Sequence, residues 1–156
     1  MSGERFTLDT NILVYSVDGD AGRRHHLASE IIELAANRDC WITLQAVSEF
    51  YAVVSRKRLI PRARAATLAN SWLDLFPVAV ASEDTVRFAI DSATEGHASY
   101  WDALLIATAA AAGCTAIVTE DLTDGTVLGG VRTVHPFATE ELPDKVLRLL
   151  GMDAAL

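Results

Sequence analysis

Three acidic residues stand alone inside long uncharged stretches of this 156-residue chain. Asp9 is the only charge between Arg5 and Asp18, Glu49 the only one between Asp39 and Arg56, and Asp102 the only one between Glu95 and Glu120. A carboxylate in apolar surroundings loses hydration, and only a neutralising partner recovers that cost. No Lys or Arg lies beside any of the three in sequence. A divalent cation neutralises several carboxylates at once. Hard cations such as Mg²⁺ or Mn²⁺ take oxygen ligands from one or two carboxylates, with waters and phosphate oxygens completing the shell. Such an ion activates a water and stabilises the oxygens of an in-line displacement at phosphorus.

The elements that must position these acids follow from periodicity. Phe6–Leu8 predicts a strand that ends at Asp9, followed by a turn into a helix or loop. Leu27, Ile31 and Leu34 have helical spacing over 27–36, and Trp41–Thr43 predicts a short strand. Val47, Phe50, Tyr51 and Val54 form an apolar stripe on a helix over 45–58, and Pro61 opens another that runs to about Leu75. A strand is expected over 76–80 and a helix over 83–95, ended by Gly96. The segment 99–112 is apolar nearly all round and predicts a buried helix with Gly113 as its C-cap. Strands over 115–118 and 131–134 and a closing helix over 139–150 complete the order. Strands alternating with helices imply an α/β fold, a mainly parallel sheet flanked by helices in three α/β/α layers. One domain is expected over 1–156, with the chemistry in about 5–135 and a helical C-terminal segment over 136–156.

In open α/β sheets ligands bind at the carboxyl ends of the strands. Asp9 follows the first strand, and Asp121 and Asp124 follow the strand over 115–118. Asp102 lies in the first turn of the buried helix and Glu49 in the second turn of its own. Helix N-termini share that rim in βαβ units, so four or five carboxylates are expected on one edge. Each acid also has a plain structural use. Asp-Thr-Asn is good turn chemistry. Ser99 with Asp102 three residues on is a capping-box pattern. Glu49 lies off the apolar stripe, and Asp124-Gly125 suits a surface turn. The joint placement is what favours a site.

Composition narrows the possibilities. The chain has 21 Asp plus Glu against 13 Lys plus Arg, a net charge of −8, so its overall field does not attract nucleic acid. Metal ions and a local basic patch would have to do so, while the acidity suits a basic protein partner. The hydrophobic fraction of 51% is ample for a core, and no segment is low in complexity. Cys40 and Cys114 each begin an apolar run and read as buried reduced thiols, as in a cytoplasmic protein. The charged N-terminus does not fit a signal peptide, and the apolar run 103–118 is short for a membrane span.

Taken in order, the motifs resemble those of the PIN-domain ribonucleases, and most closely the VapC-type toxins of bacterial toxin–antitoxin pairs. They are Phe6-Thr-Leu-Asp9-Thr-Asn11-Ile-Leu-Val-Tyr15, Gln45-Ala-Val-Ser-Glu49-Phe50, Tyr100-Trp-Asp102-Ala-Leu-Leu-Ile-Ala107 and Thr119-Glu-Asp121-Leu-Thr-Asp124-Gly125. The resemblance implies that Asp9, Glu49, Asp102 and Asp121 form an acidic quartet, that Asp124 is an additional acid, and that the cluster holds Mg²⁺ or Mn²⁺. It implies Thr10 or Asn11 as residues that orient Asp9 by hydrogen bonds. It further implies hydrolysis of RNA to a 5′-phosphate and a 3′-hydroxyl, an antitoxin that blocks the site, and a homodimer. Gly125 stands where many members carry an aromatic residue, and Glu120 is an alternative ligand to Asp121 or Asp124.

Other features fit this reading or its rivals less directly. Arg56, Lys57 and Arg58 form the densest basic patch, placed to favour a helix dipole or to meet RNA phosphates. Adjacent His25 and His26 point to different helix faces and do not make a zinc site. Trp41, Trp72 and Trp101 read as core or interface residues rather than base-stacking platforms. A phosphoaspartate enzyme would want Asp at position 11, where Asn stands, and a lysine after an apolar strand. The only lysines, Lys57 and Lys145, do not follow one. No P-loop motif occurs. A non-catalytic binding scaffold with the same fold, or another Mg-dependent phosphohydrolase, is the alternative.

Overall fold

The structure is a computed structural model that describes residues 3–152. Six strands form one sheet: β1 (Phe6–Leu8), β2 (Cys40–Thr43), β3 (Val78–Ala79), β4 (Ala116–Val118), β5 (Val127–Leu128) and β6 (Val131–Val134). Their spatial order is β3-β2-β1-β4-β6-β5, parallel except for the β5–β6 pair. Seven α-helices connect them: α1 (Thr10–Tyr15), α2 (Arg23–Ala35), α3 (Leu44–Lys57), α4 (Arg62–Leu75), α5 (Glu83–Thr94), α6 (Tyr100–Ala111) and α7 (Asp144–Leu149). The chain walks outward from β1 to β3, then returns through α5 and α6 to β4 on the other side of β1. Right-handed crossovers therefore put α1–α4 on one face and α5–α6 on the other. Contacts agree, as α1 packs on α2 and α3, α3 on α4, and α5 on α6. The expected three-layer α/β fold is the one observed.

The core runs through the sheet. β1 and β4 are buried at every residue, as a parallel sheet covered on both faces requires. Ile12, Ile31, Phe50 and Val54 pack against one face and Leu105 and Ile106 against the other. Phe50 meets Trp72 edge-on, with ring centroids 4.7 Å apart. Helix α6 is buried from Ala103 to Ala109, a run in which Thr108 is the one polar side chain.

Three expectations need correction. The closing helix spans only Asp144–Leu149, because Pro143 is its N-cap and lacks the N–H an earlier turn would donate. Residues 153–156 of the expected C-terminal helical segment lie outside the described residues. The β5–β6 hairpin was not expected; Gly129 and Gly130, at φ 56° and 82°, turn it. Tyr51 is exposed, so the α3 stripe that enters the core is Val47, Phe50 and Val54.

Candidate active site

The strand order reverses between the parallel neighbours β1 and β4, and this switch point is where a ligand crevice is expected. Parallel pairing sets Leu8 against Val118, so the next residues, Asp9 and Thr119, leave the two strands side by side. The Asp9 N–H donates to the Val118 carbonyl (3.0 Å), which extends the ladder by one step. Asp9 is buried at 6% exposure, and it caps α1 by accepting the Thr10 N–H at Oδ1 (2.7 Å). The Thr119 hydroxyl donates to Oδ2 (2.7 Å). That hydroxyl also accepts the Asp121 N–H (3.1 Å) and the Asn11 side-chain amide (3.4 Å). Thr119, fully buried, is thus the hub that ties the loop after β4 to Asp9.

Glu49 is fixed from two sides. The Thr10 hydroxyl donates to Oε2 (2.9 Å) and the Gln45 amide to Oε1 (3.1 Å). Thr10 therefore serves two acids, Asp9 through its backbone and Glu49 through its hydroxyl, while Asn11 reaches Asp9 only by way of Thr119. Ser99 caps α6 by accepting the Asp102 N–H (3.2 Å). The reciprocal half of a capping box is missing: among the described residues no donor engages the Asp102 carboxylate, nor that of Asp121.

Burial is the main force on Asp9 and pushes its pKa from 3.8 to about 6; the Thr119 and Thr10 bonds oppose it, and the charges of Asp121 and Asp102 add to it. The charges of Asp102 and Asp121 thus both reach Asp9. Among the described residues no Lys or Arg forms an ion pair with any of them or with Glu49.

The other acids of the loop after β4 are neutralised. Burial raises the Glu120 pKa, but the Tyr15 hydroxyl and Arg24 outweigh it and hold the carboxyl below its ordinary value. Asp124 is held low by Lys145 (2.8 Å) and by the His135 N–H (3.0 Å). Of the three acids that sequence left as alternatives, Asp121 alone shares the cleft with Glu49.

That cleft, about 310 Å³, is lined by Thr10, Asn11, Tyr15, Glu49, Lys57 and Asp121 among others. The expected basic trio divides here. Lys57 reaches the cleft wall, Arg58 lines a separate surface cavity with Arg62, and Arg56 lines neither. Arg58 ends α3 in the left-handed region at φ 55°, and Leu59 beyond it returns to the cleft wall. As they stand, no three described acids, histidines or cysteines close into a metal-gripping set. The donors are nevertheless all oxygens, one of them on a buried carboxylate without a counter-charge. That suits a hard divalent cation whose shell is completed by water and phosphate. Sequence reasoning passed over Thr119; its position directly after the strand beside β1 was the available signal.

Comparison with known proteins follows this geometry. The PIN domain family model matches residues 6–123. The fold is similar to that of VapC20 from Mycobacterium tuberculosis, a Sarcin-Ricin loop cleaving toxin (21% identity, TM-score 0.58, over 81% of this chain and 98% of that one). It is similar to a toxin–antitoxin complex from Klebsiella pneumoniae (25%, 0.57, over 84% and 97%). It is also similar to VapBC2 from Rickettsia felis bound to a DNA fragment of its promoter (18%, 0.61, over 83% and 96%). Among curated proteins, none matches the chain.

Proposed function

The chain belongs to the PIN domain family, and from that premise we propose that it is a divalent-metal-dependent endoribonuclease, the toxin of a type II toxin–antitoxin pair. The observation that carries this reading is Asp9, a buried carboxylate against which Asp102 and Asp121 press their charge with no basic residue to offset it. Asp9, Glu49, Asp102 and Asp121 would hold Mg²⁺ or Mn²⁺. Asp124 is left out of that set, because Lys145 and the His135 N–H occupy its carboxylate.

When bound, the ion supplies an activated water and charge neutralisation at the phosphodiester. The protein's own groups do the positioning. Thr119 and the Thr10 N–H hold Asp9 in one rotamer, and Thr10 and Gln45 do the same for Glu49. Lys57, on the cleft wall, offers the phosphate a positive charge that the chain's net −8 otherwise denies it. The products are a 5′-phosphate and a 3′-hydroxyl. The solved neighbours include toxins with their antitoxins, which supports a cognate antitoxin as the inhibitor; the net charge of −8 suits a basic one, and a homodimer is the assembly we expect. Among the described residues no helix is long and apolar enough to cross a membrane, which accords with a cytoplasmic toxin.

The test is cleavage of a mixed RNA pool by purified protein in Mg²⁺, Mn²⁺ or EDTA, beside the Asp9→Asn variant. The reading predicts cutting that needs both metal and Asp9. Cutting that survives Asp9→Asn or EDTA contradicts it. Intact RNA in every metal, from folded antitoxin-free protein, points to the binding scaffold instead.

A further inference from the structure

The stretch between Glu49 and Asp74 holds no acid and five of the chain's 13 Lys and Arg: Arg56, Lys57, Arg58, Arg62 and Arg64. In a chain of net charge −8 this is a local reversal of sign, confined to the end of α3, the start of α4 and the turn between them. All five residues are exposed. Among the described residues none of them enters an ion pair, whereas Arg5, Arg24, Arg87, Arg132 and Lys145 each pair with an acid.

Helix stability explains only part of this charge. Arg56 and Lys57 lie in the last turn of α3, where the dipole favours a cation. Arg62 and Arg64 lie in the first turn of α4, where the dipole opposes one, and no acid in that turn offsets them. Arg58 adopts a left-handed conformation (φ 55°) that glycine takes more cheaply, and among the described residues no other non-glycine residue does so. Three arginines therefore stand where the fold alone favours other residues.

Two of them share a cavity. Arg58 and Arg62 line a surface hollow of about 570 Å³, walled otherwise by Ser55, Leu59, Ile60 and Pro61, with no acid in its lining. Leu59 also lines the acidic cleft, as does Lys57. The hollow and the cleft thus share a wall, with Lys57 on the cleft side and Arg58 and Arg62 on the other.

We propose that the hollow lined by Arg58 and Arg62 is a second phosphate site, which holds the backbone of the RNA strand beyond the nucleotides in the acidic cleft. The inference rests on the ribonuclease reading. A strand whose scissile phosphodiester lies in the cleft beside Lys57 reaches the hollow by passing over Leu59. The guanidinium fork matches phosphate oxygens bidentately, which suits arginine to this place. Phosphate contacts carry no base information, so the site sets the path and affinity of the strand and not its sequence. It also supplies the local positive field that the chain as a whole lacks.

The test separates the patch from the chemistry. A fluorescein-labelled oligouridylate about twelve nucleotides long is titrated in Ca²⁺ by anisotropy at several KCl concentrations, and cleavage of the same RNA in Mg²⁺ is followed in parallel. Each lost phosphate contact removes about 0.7 from the slope of log K against log salt for a single strand. Arg58→Gln and Arg62→Gln should each flatten the slope by that amount, and the double variant by about 1.4. At about 0.1 M salt the same relation gives binding roughly 5-fold weaker for each and roughly 25-fold weaker for the double variant. In cleavage the loss should appear in KM. Arg87→Gln, an exposed cation on the opposite face, should change none of these. Arg58→Gly should weaken RNA binding roughly 5-fold yet raise the melting temperature, since glycine relieves the left-handed turn; an arginine with a merely structural role would not split the two readouts. Flattened slopes without cleavage in any metal would sink the ribonuclease reading and spare the phosphate site. Cleavage with a slope that the double variant leaves unchanged, or no RNA binding by wild type, would overturn the site. Poly-glutamate of equal charge binding more tightly than the RNA would assign the patch to an acidic protein segment and overturn it equally.

Discussion

Two sets of acids, interleaved in the loop after β4, are treated in opposite ways. Glu120 and Asp124 each have a cation and a second donor: Arg24 and the Tyr15 hydroxyl for one, Lys145 and the His135 N–H for the other. Their pKa values are lowered, so their charge stabilises the fold. Asp9, Asp102 and Asp121 have no such cation among the described residues, and Asp9 is pushed up to about 6. A protein able to neutralise Glu120 and Asp124 with its own side chains leaves the neighbouring three to something that can come and go. The contrast separates acids that hold the structure from acids that await a ligand.

The contrast can be broken in order of expected effect. Asp9→Asn should lower cleavage by more than about a hundredfold, since even the partners of metal ligands are worth 10- to 100-fold. It should also stabilise the metal-free protein near pH 7.5 by up to about 2–3 kcal/mol, less the one bond from Thr10 or Thr119 that an amide nitrogen cannot accept. The sign follows from the raised value. The folded state binds the Asp9 proton more tightly than the unfolded state does, so ionisation costs stability. That cost is absent below pH 3.8 and complete above about 6. Urea unfolding of wild type and variant at several pH values checks it, and the two curves should converge at acid pH.

Thr119→Val keeps the shape of a buried residue and removes the hydroxyl that orients Asp9. Metal affinity should fall roughly 10- to 100-fold, read by calorimetric titration with Mn²⁺. Glu120→Gln should behave in the opposite way. It weakens the bonds to Tyr15 and Arg24, costs about 1–2 kcal/mol in thermal unfolding, and leaves metal affinity within about twofold of wild type. Asp124→Asn should be the mildest, at about 0–1 kcal/mol, because its ion pair with Lys145 is half exposed. Should Asp124→Asn abolish metal binding while Asp9→Asn does not, the division between the two sets would be inverted.

Short-range signals made most of the frame legible. The apolar triplet before Asp9, the stripe on α3 and the apolar α6 ended by Gly113 all declare their elements locally. Two features escaped. β5 is two residues long, too short for any periodicity, and only the Gly129-Gly130 pair marks its hairpin. For the closing helix the apolar spacing reaches back to about Thr139 while Pro143 leaves the start open, and the structure starts it directly after that proline. Within the candidate site, sequence placed the acids on a rim but left Glu120, Asp121 and Asp124 as alternatives. The groups that distinguish them are remote: Arg24 lies 96 positions from Glu120, and Lys145 lies 21 from Asp124. Neutralisation is a tertiary property, so a carboxylate's isolation along the chain is a pointer to its isolation in space and no more. Trp101 shows the same limit from the apolar side: an aromatic residue in an apolar run fits core and interface alike, and only its 62% exposure places it outside the core.

The central claim, that the unneutralised acids form a cation site, is tested most directly by thermal unfolding of wild type, Asp9→Asn and Asp124→Asn at pH 7.5 with and without millimolar Mn²⁺. Binding to the folded state alone raises the melting temperature by mass action. The account predicts a clear rise for wild type, an equal rise for Asp124→Asn and none for Asp9→Asn. An unchanged wild type, or a rise that Asp9→Asn shares in full, would contradict it.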